Sequence, residues 1–148
     1  MNILDGLLGE HAALLTLFEH LEQNAAHMDL ERLHETGALL ERVVMVHSMA
    51  EDRFLFDAVT TSEGGLRDAL LAMRSEHKQL AQELDQFRGS VSEAAARGCL
   101  RRVLDGIREH FEVEERVLFP VAARQISPQK LEELGTGWKR SRMREALP

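Results

Sequence analysis

The sequence has no tyrosine, a single cysteine, and no proline before Pro120. One cysteine, Cys99, excludes an intrachain disulfide and is typical of a reducing cytoplasm. Leu, Ala, Glu and Arg are abundant, and because these residues favour helices over strands they predict an all-α fold. Basic residues are absent before Arg32, and no uncharged apolar run approaches the roughly 20 residues of a membrane span. We therefore expect a cytoplasmic chain with neither a targeting peptide nor a membrane partner.

The formal net charge of -7 and the isoelectric point near 5.5 favour cationic or small partners. Nucleic acids and anionic membrane surfaces attract a basic face, which this composition does not predict. We therefore expect metal ions and small ligands as partners, and no nucleic acid. The 148 residues have the size of one ordinary globular domain, so we predict a single domain over residues 1–148.

Three break signals divide the chain into helices. Asp29 is a candidate N-cap, the stretch 60–65 contains the Gly64-Gly65 doublet, and Gly89 precedes Ser90-x-x-Glu93, a capping box. The four predicted helices lie near residues 5–28, 30–59, 65–88 and 91–125. Short connections make consecutive helices antiparallel neighbours, which predicts an up-down-up-down four-helix bundle over about residues 5–125.

The C-terminal part of the pattern carries further signals. Pro120 falls inside the fourth helix and lacks an N–H donor, so it should kink that helix or loosen its hydrogen bonds. Ser127-Pro128 predicts a brief fifth helix that ends at Gly135, within an extension over residues 126–148. The remaining tail is basic, and we expect its side chains to be solvated: Lys139, Arg140, Arg142 and Arg144.

Four of the seven histidines fall one in each predicted helix: His11, His47, His77 and His110. Residues seven positions before and after a helical residue share its face. For these histidines all eight such neighbours are apolar: Leu4, Phe18, Leu40, Phe54, Leu70, Leu84, Val103 and Val117. Each of the four histidines is therefore predicted to lie in a core stripe. His20, His27 and His34 lie on the opposite helix faces and should be exposed to water.

The same histidines should meet at one depth in the bundle. Residues equidistant from a helix hairpin lie side by side, and the midpoints between successive histidines fall on the predicted breaks at Asp29, near Ser62 and just after Gly89. Two helices add a carboxylate four residues after the histidine, on the same face, at Glu51 and Glu114. The pattern His-x35-His-x3-Glu is thus followed by His-x32-His-x3-Glu, which predicts a site with approximate two-fold symmetry.

Six polar side chains in an apolar core would each cost several kcal/mol if they had no partner, whereas metal ions would satisfy them together. Imidazole with carboxylate and no thiolate suits iron, manganese or zinc. Carboxylates can bridge two ions, which favours dinuclear iron or manganese, with mononuclear zinc as an alternative. A ferritin-like site needs Glu-x-x-His on two inward faces, and Glu31-x-x-His34, which points outward, is the one such pair here.

These residues resemble the hemerythrin-like domains, often called HHE cation-binding domains. The resemblance spans His11 to Pro120 and includes Glu10-His11, the segment 47–52 (HSMAED), Glu76-His77 and the segment 110–120 (HFEVEERVLFP). It implies two irons, with His11 and His47 on one iron and His77 and His110 on the other. Glu51 and Glu114 would bridge them, leaving positions for a bridging oxygen and for O2, peroxide or nitric oxide.

Two departures separate this chain from the oxygen-carrying members of that family. The carriers place two histidines four apart on the third helix, whereas Met73 stands where the first would be. They also use an aspartate five residues after the fourth-helix histidine, whereas this chain has Glu114 four residues after His110. The pattern therefore resembles the branch that does not carry oxygen.

Three functional hypotheses follow. The first is a dinuclear iron-binding protein that senses or handles iron, O2 or nitrogen oxides. The second is a di-iron enzyme that consumes peroxide or nitric oxide. The third is a helical interaction module in which the metal is structural, with a protein partner that the sequence does not identify.

Overall fold

The computed structural model describes residues 1–59 and 64–145, and these residues contain helices but no strand. Its elements are α1 Ile3–Ala25, α2 Leu30–Glu51, a first π-helix Asp52–Phe56, α3 Gly64–Arg88, α4 Glu93–Val113, a second π-helix Glu114–Leu118, α5 Phe119–Gln125 and α6 Pro128–Glu145. The predicted all-α fold is confirmed. Within the described ranges, no helix combines the length and the apolar character needed to cross a membrane.

The N-caps confirm one predicted helix start and correct another. Asp29 caps α2 by accepting a hydrogen bond from the backbone N–H of Arg32, as the sequence predicts. The prediction that Ser90 caps the fourth helix is wrong, because Ser92 caps α4 instead. The hydroxyl of Ser90 donates to the carbonyl of Gln86 at the end of α3. Ser90 therefore belongs to the end of one helix and not to the start of the next.

Helices α1 to α4 pack as a bundle, with contacts between α1 and α2, α2 and α3, α3 and α4, and α1 and α4. These neighbours are consistent with the up-down-up-down arrangement, although the turn predicted near Ser62 lies outside the described residues. The core forms two apolar clusters, one around Phe18, Leu84 and Leu104 and the other around Ile3, Leu55 and Trp138. The histidines of the predicted site lie at the level where these two clusters meet.

The two π-helices change which side chains face the core. Extrapolation by seven residues places Phe54 and Val117 in the core, but Phe54 is only half-buried and Val117 is 48% exposed. The buried residues are the next ones along the chain, Leu55 and Leu118. A π-helical turn holds about one residue more than an α-helical turn, so the core face moves on by one position. The prediction for Val117 is therefore wrong for an identifiable reason.

Pro120 accounts for only one of the two π-helices. The second π-helix ends two residues before Pro120, as expected if the missing N–H loosens the helix there. The first π-helix, Asp52–Phe56, has no proline near it. Each π-helix begins at or directly after one of the two core glutamates, Glu51 and Glu114, so its position follows the site and not the proline alone.

The prediction that the fifth helix ends at Gly135 is wrong, because α6 continues to Glu145. Gly135 serves close packing instead. A Cβ atom at this position would lie 2.7 Å from the carbonyl oxygen of Met1, so only glycine lets α6 approach the start of α1. Trp138 packs in the same way against Gly6, where a Cβ atom would lie 2.9 Å from the indole ring. The C-terminal extension is thus a docked helix.

Candidate metal centre

The six predicted ligands converge in the interior between the two apolar clusters. They form two groups that share both glutamates: His11, His47, Glu51 and Glu114, and then His77, His110, Glu51 and Glu114. Within each group the candidate ligand atoms lie within 4.8 Å of one another. All six side chains are buried, and the two glutamates are 0% exposed. The predicted convergence at one depth is present, whereas metal ligation itself stays a prediction.

The histidines form two close pairs through their Nε2 atoms. The Nε2 atoms of His11 and His47 lie 3.1 Å apart, and those of His77 and His110 lie 2.9 Å apart. Two ligand atoms at right angles on one ion, each about 2.1 Å from it, would lie about 3 Å apart. Both pairs therefore have a separation compatible with two imidazoles at right angles on one metal ion.

The two carboxylates lie between the histidine pairs. A carboxylate oxygen of Glu51 lies 3.7 Å from the Nε2 of His11, 3.4 Å from that of His47 and 3.7 Å from that of His77. A carboxylate oxygen of Glu114 lies 3.4 Å from the Nε2 of His11, 3.8 Å from that of His77 and 3.0 Å from that of His110. None of the four oxygens of Glu51 and Glu114 makes a hydrogen bond. Buried carboxylates without hydrogen-bond donors are costly, so their setting fits a bridging role between two cations.

A second set of carboxylates lies behind the histidines, on the Nδ1 side. The Nδ1 of His11 lies 2.8 Å from Glu115, that of His47 2.8 Å from Glu10, that of His110 2.6 Å from Glu76, and that of His77 3.5 Å from Asp52. The contacts of His11, His47 and His110 are hydrogen bonds, and such partners fix the imidazole tautomer with its proton on Nδ1, leaving the Nε2 lone pair for a metal. The contact of His77 with Asp52 is longer, and the Nδ1 of His77 makes no hydrogen bond. This arrangement again fits a metal centre.

The roles of these four carboxylates were not predicted from the sequence, although the sequence contains a signal for them. Each is the chain neighbour of a candidate ligand and serves a histidine on another helix. Glu10 precedes His11 and serves His47, and Glu76 precedes His77 and serves His110. Asp52 and Glu115 follow Glu51 and Glu114 in the same symmetric manner. An acidic residue beside a ligand in both halves of the chain was therefore the signal.

The charges of the site favour protonated imidazoles when no cation is bound. Burial alone would lower the pKa of His11, but the nearby carboxylates of Glu114, Glu51 and Glu115 raise it to about 10. Burial likewise opposes protonation of His77, but Asp52 and Glu114 raise its pKa to about 9. Without a metal, protons on the imidazoles of His11 and His77 thus supply the positive charge that the nearby carboxylates stabilise. Metal cations could replace them, because ligation requires neutral imidazole.

Burial and a like charge act on the two central carboxyls as well. Burial raises the pKa of Glu51, and the charge of Glu114 acts in the same direction. Burial would also raise the pKa of Glu114, but the imidazoles of His11, His110 and His77 hold it well below its usual range. At least one central carboxylate therefore remains charged and available to a cation.

Phenylalanine rings cover the imidazoles, whereas two openings reach the His77 and His110 side. Phe111 stacks on His11 with ring centroids 3.8 Å apart, and Phe56 stacks on His77 at 5.8 Å. A groove of about 600 Å³ between α2 and α3 reaches His77 and is lined in part by Met45, Met49, Asp52, Arg53, Arg74 and Lys78. A cleft of about 290 Å³ between α3 and α4 reaches His110 and is lined by Glu76, Glu83 and Glu109.

The other three histidines lie outside the site. His20 and His27 are exposed, as predicted. His34 is half-buried, because its Nε2 lies 2.8 Å from the carbonyl oxygen of Ser90 in the connection between α3 and α4. The prediction of full exposure is therefore wrong for His34, which has a structural partner.

Most of the chain matches one known protein family. Residues 2–122 match the hemerythrin HHE cation-binding domain. The chain belongs to this family. The HHE match includes all six candidate ligands and their four supporting carboxylates, and it ends before α6 begins. No solved structure matches the chain.

One curated relative is a protein named DNA nickase from Nostoc sp. (strain PCC 7120 / SAG 25.82 / UTEX 2576). It is 26% identical over 140 residues, which cover 94% of this chain and 38% of the relative. The HHE chain therefore spans well under half the length of that protein.

Proposed function

We propose that this HHE-family chain is a dinuclear non-haem iron-binding protein that senses or handles iron, O2 or nitrogen oxides. The observation that carries the proposal is the pair of symmetric histidine groups that share two buried carboxylates. Each ion would have two imidazoles and two shared carboxylates: His11 and His47 on one, His77 and His110 on the other, with Glu51 and Glu114 bridging. Manganese or zinc is the alternative occupant of the same donors.

Bound iron would supply redox chemistry and open coordination positions for a small ligand. The chain's own residues would hold and orient the ligands and exclude water. Phe111 and Phe56 restrict the imidazole rings. Hydrogen bonds from Nδ1 to carboxylates fix the tautomers of His11, His47 and His110. The groove at His77 gives a diatomic molecule or peroxide a route to the second ion. We therefore place ligand exchange at the His77 and His110 side.

Metal analysis combined with absorption spectra tests this function. Purified protein loaded with iron under anaerobic conditions should hold about two ions per chain, and its spectrum should change on addition of O2, peroxide or nitric oxide. Repeated turnover of peroxide or nitric oxide would select the enzyme hypothesis, and a single stoichiometric change would select the sensor. Protein that binds a partner equally well without metal, and whose spectrum ignores all three reagents, would select the interaction module.

A role with DNA needs its own test. The prediction of no nucleic-acid partner rests on the net charge, and the name of the Nostoc relative does not support it. Because the chain covers 38% of that relative, nickase activity is not assigned to the shared part. Iron-loaded protein should leave a supercoiled plasmid intact. Conversion of the plasmid to the relaxed form by wild type, but not by His47→Ala, would instead assign a metal-dependent nicking activity to this chain.

We also propose that residues 1–148 form a single domain, with a core bundle over about 5–125 and an extension over 126–148. Leu131 and Trp138 of α6 belong to the same apolar cluster as Ile3 and Leu7 of α1. This shared core supports folding as one unit. The cytoplasmic location expected from the single cysteine stays a prediction.

A further inference from the structure

The C-terminal helix α6 reaches the metal centre through one arginine. The Nε of Arg142 donates to Oε1 of Glu10 at 2.6 Å, and one of its terminal nitrogens donates to Oε2 at 2.9 Å. The other terminal nitrogen donates to the carbonyl of Val46 at 3.0 Å. Glu10 in turn accepts a hydrogen bond from Nδ1 of His47 at 2.8 Å. The expectation of a solvated basic tail is therefore wrong for Arg142.

The symmetric position in the other half of the site has no such cation. Glu76 is the counterpart of Glu10, and it accepts from Nδ1 of His110 at 2.6 Å. Among residues 1–59 and 67–143, whose side chains the structure describes, no lysine or arginine lies within ion-pair distance of Glu76, whose side chain is 43% exposed. The side chain of Glu10 is 22% exposed and is covered by Arg142. The two-fold symmetry of the site is thus broken in the carboxylates that hold the histidines.

We propose that Arg142 is a positioning residue that makes the two metal positions unequal, so that the ion at His11 and His47 is held more tightly than the ion at His77 and His110. This inference rests on the proposed dinuclear function. It concerns a part of the chain beyond residues 2–122, over which the family match extends.

The physical basis is the rigidity of the contact. A guanidinium that binds both oxygens of a carboxylate fixes the plane of that carboxylate, which a lone charge does not. Glu10 held in this way keeps the His47 ring in one orientation, with Nε2 directed at the metal. The Arg142 guanidinium lies 5.9 Å from the centroid of the Trp138 ring, and Trp138 packs against Gly6. The guanidinium therefore contacts α1 and α2 and lies beside the Trp138 ring of its own helix.

Iron release from the full-length chain measures the inequality directly. The protein is loaded anaerobically with Fe(II), and an excess of a colorimetric Fe(II) chelator is added. Wild type should release its two ions in a fast and a slow phase of equal amplitude. Arg142→Met should accelerate the slow phase about 10- to 100-fold, as loss of such outer partners usually does, and leave the fast phase unchanged. Arg142→Lys, which keeps the charge without the planar fork, should restore only part of the slow phase.

Matched variants separate positioning from general stability. Arg140→Met changes an exposed arginine of the same helix and should leave both phases unchanged. Glu76→Gln should accelerate the fast phase alone, and Glu10→Gln the slow phase alone. Because Arg142 acts through Glu10, the double variant Glu10→Gln/Arg142→Met should release iron no faster than Glu10→Gln. Trp138 fluorescence reports whether α6 remains docked in each variant.

Several outcomes would overturn the inference. They are a single release phase in wild type, equal acceleration of both phases by Arg142→Met with unchanged Trp138 fluorescence, and additive effects of Glu10→Gln and Arg142→Met. If Arg142→Met undocks α6, Glu10→Gln decides alone, and acceleration of both phases by that variant would also refute the inequality. Two bound irons with any of these results would leave the proposed function standing. A wild-type chain that binds no iron would refute both.

Discussion

At the scale of single residues, each of the four candidate histidine ligands has a carboxylate near both of its ring nitrogens. One ring nitrogen of each histidine faces a carboxylate at the bundle surface, while the other faces Glu51 or Glu114 in the interior. A histidine that merely fills a core needs one hydrogen-bond partner. Four histidines arranged in this way direct their four Nε2 atoms toward the interior between Glu51 and Glu114. Two metal ions bound there could use all four atoms as ligands.

The number of bound metals should therefore depend on individual ligands. Wild type should bind about two irons per chain, and His47→Ala or His110→Ala should each lower that number, because each removes one of two imidazoles from an ion. His20→Ala, an exposed matched control, should still bind two. Metal analysis after gel filtration, together with circular dichroism at 222 nm, measures this. Wild type with intact helicity that retains one iron or none would contradict the dinuclear site.

Met73 gives a second test at this scale. It is buried in the same apolar cluster as Phe56, the residue that stacks on His77. Its thioether is a poor ligand for a hard ferric ion, so we expect it to fill space beside the second metal. Met73→His should supply a further imidazole at modest packing cost, since the two side chains have similar volumes. Turnover of peroxide should then fall, and the spectral changes that follow O2 addition should decay more slowly.

The exposed Met143 offers the matched control, since Met143→His adds an imidazole far from the core. That variant should behave as wild type in both measurements. A Met73→His protein that holds two irons but has wild-type peroxide turnover and an unchanged O2 spectrum would show that Met73 does not border the site.

The six inward residues could be predicted because the signal is local: spacings of seven and four fix a helix face, and equal distances from a turn fix depth. The contact partners of Glu10 and Arg142 could not be assigned in the same way, although the acidic residue beside each ligand is visible in the sequence. Their roles depend on contacts between helices far apart in sequence, His47 with Glu10 and Glu10 with Arg142. The residue pattern of one helix does not show how a neighbouring helix is rotated about its own axis, and that rotation decides which side chains of the two helices meet.

At the scale of elements, the main departures from the predicted fold come from backbone geometry. Periodicity assumes one helical pitch, and the π-helices after Glu51 and within 114–118 violate that assumption at the site. Val117 is exposed and Leu118 buried for this reason. Glycine is also ambiguous in sequence, because the same residue permits a helix to end or two helices to approach closely. Gly135 belongs to the second kind.

The packing of α6 makes Gly135 sensitive to substitution. In Gly135→Ala the new Cβ would lie 2.7 Å from a backbone oxygen of Met1, so α6 must shift away from α1. We expect the unfolding free energy to fall by about 1–3 kcal/mol, as overpacking usually costs. The measurement is urea unfolding followed by circular dichroism.

Gly9→Ala is the matched control, since nothing lies within 4 Å of a Cβ at that position of α1. There the substitution should raise the unfolding free energy by about 0.5–1 kcal/mol, because alanine favours a helix more than glycine does. Equal stabilisation by both substitutions would contradict the close approach of α6 to α1.

At the scale of the whole molecule, the site is built from one two-helix unit used twice, and α6 is added to one side only. Each copy of the unit contributes one histidine pair, one central glutamate and one π-helix, and this repetition explains the symmetry of the site. Arg142 on α6 contacts Glu10 and the carbonyl of Val46, whereas the two openings lie at His77 and His110. If Arg142 acts as proposed, tighter metal binding and the two openings described above would lie in opposite halves of the same centre.

Metal removal should affect the stability of the entire bundle, because α1 to α4 each contribute a candidate ligand. A metal that binds only the native state adds RT ln(1 + [M]/Kd) to the unfolding free energy, about 4 kcal/mol when the free metal is 1,000 times the Kd. For a chain of this size 1 kcal/mol corresponds to about 2–4 °C in Tm, so chelation should lower the Tm by about 10 °C. Scanning calorimetry of iron-loaded protein with and without chelator measures the shift. The double variant His47→Ala/His110→Ala should show little shift with chelator. The contradicting result is protein that starts with two irons and has the same Tm after their removal. The metal would then be bound without stabilising the packing of the four helices.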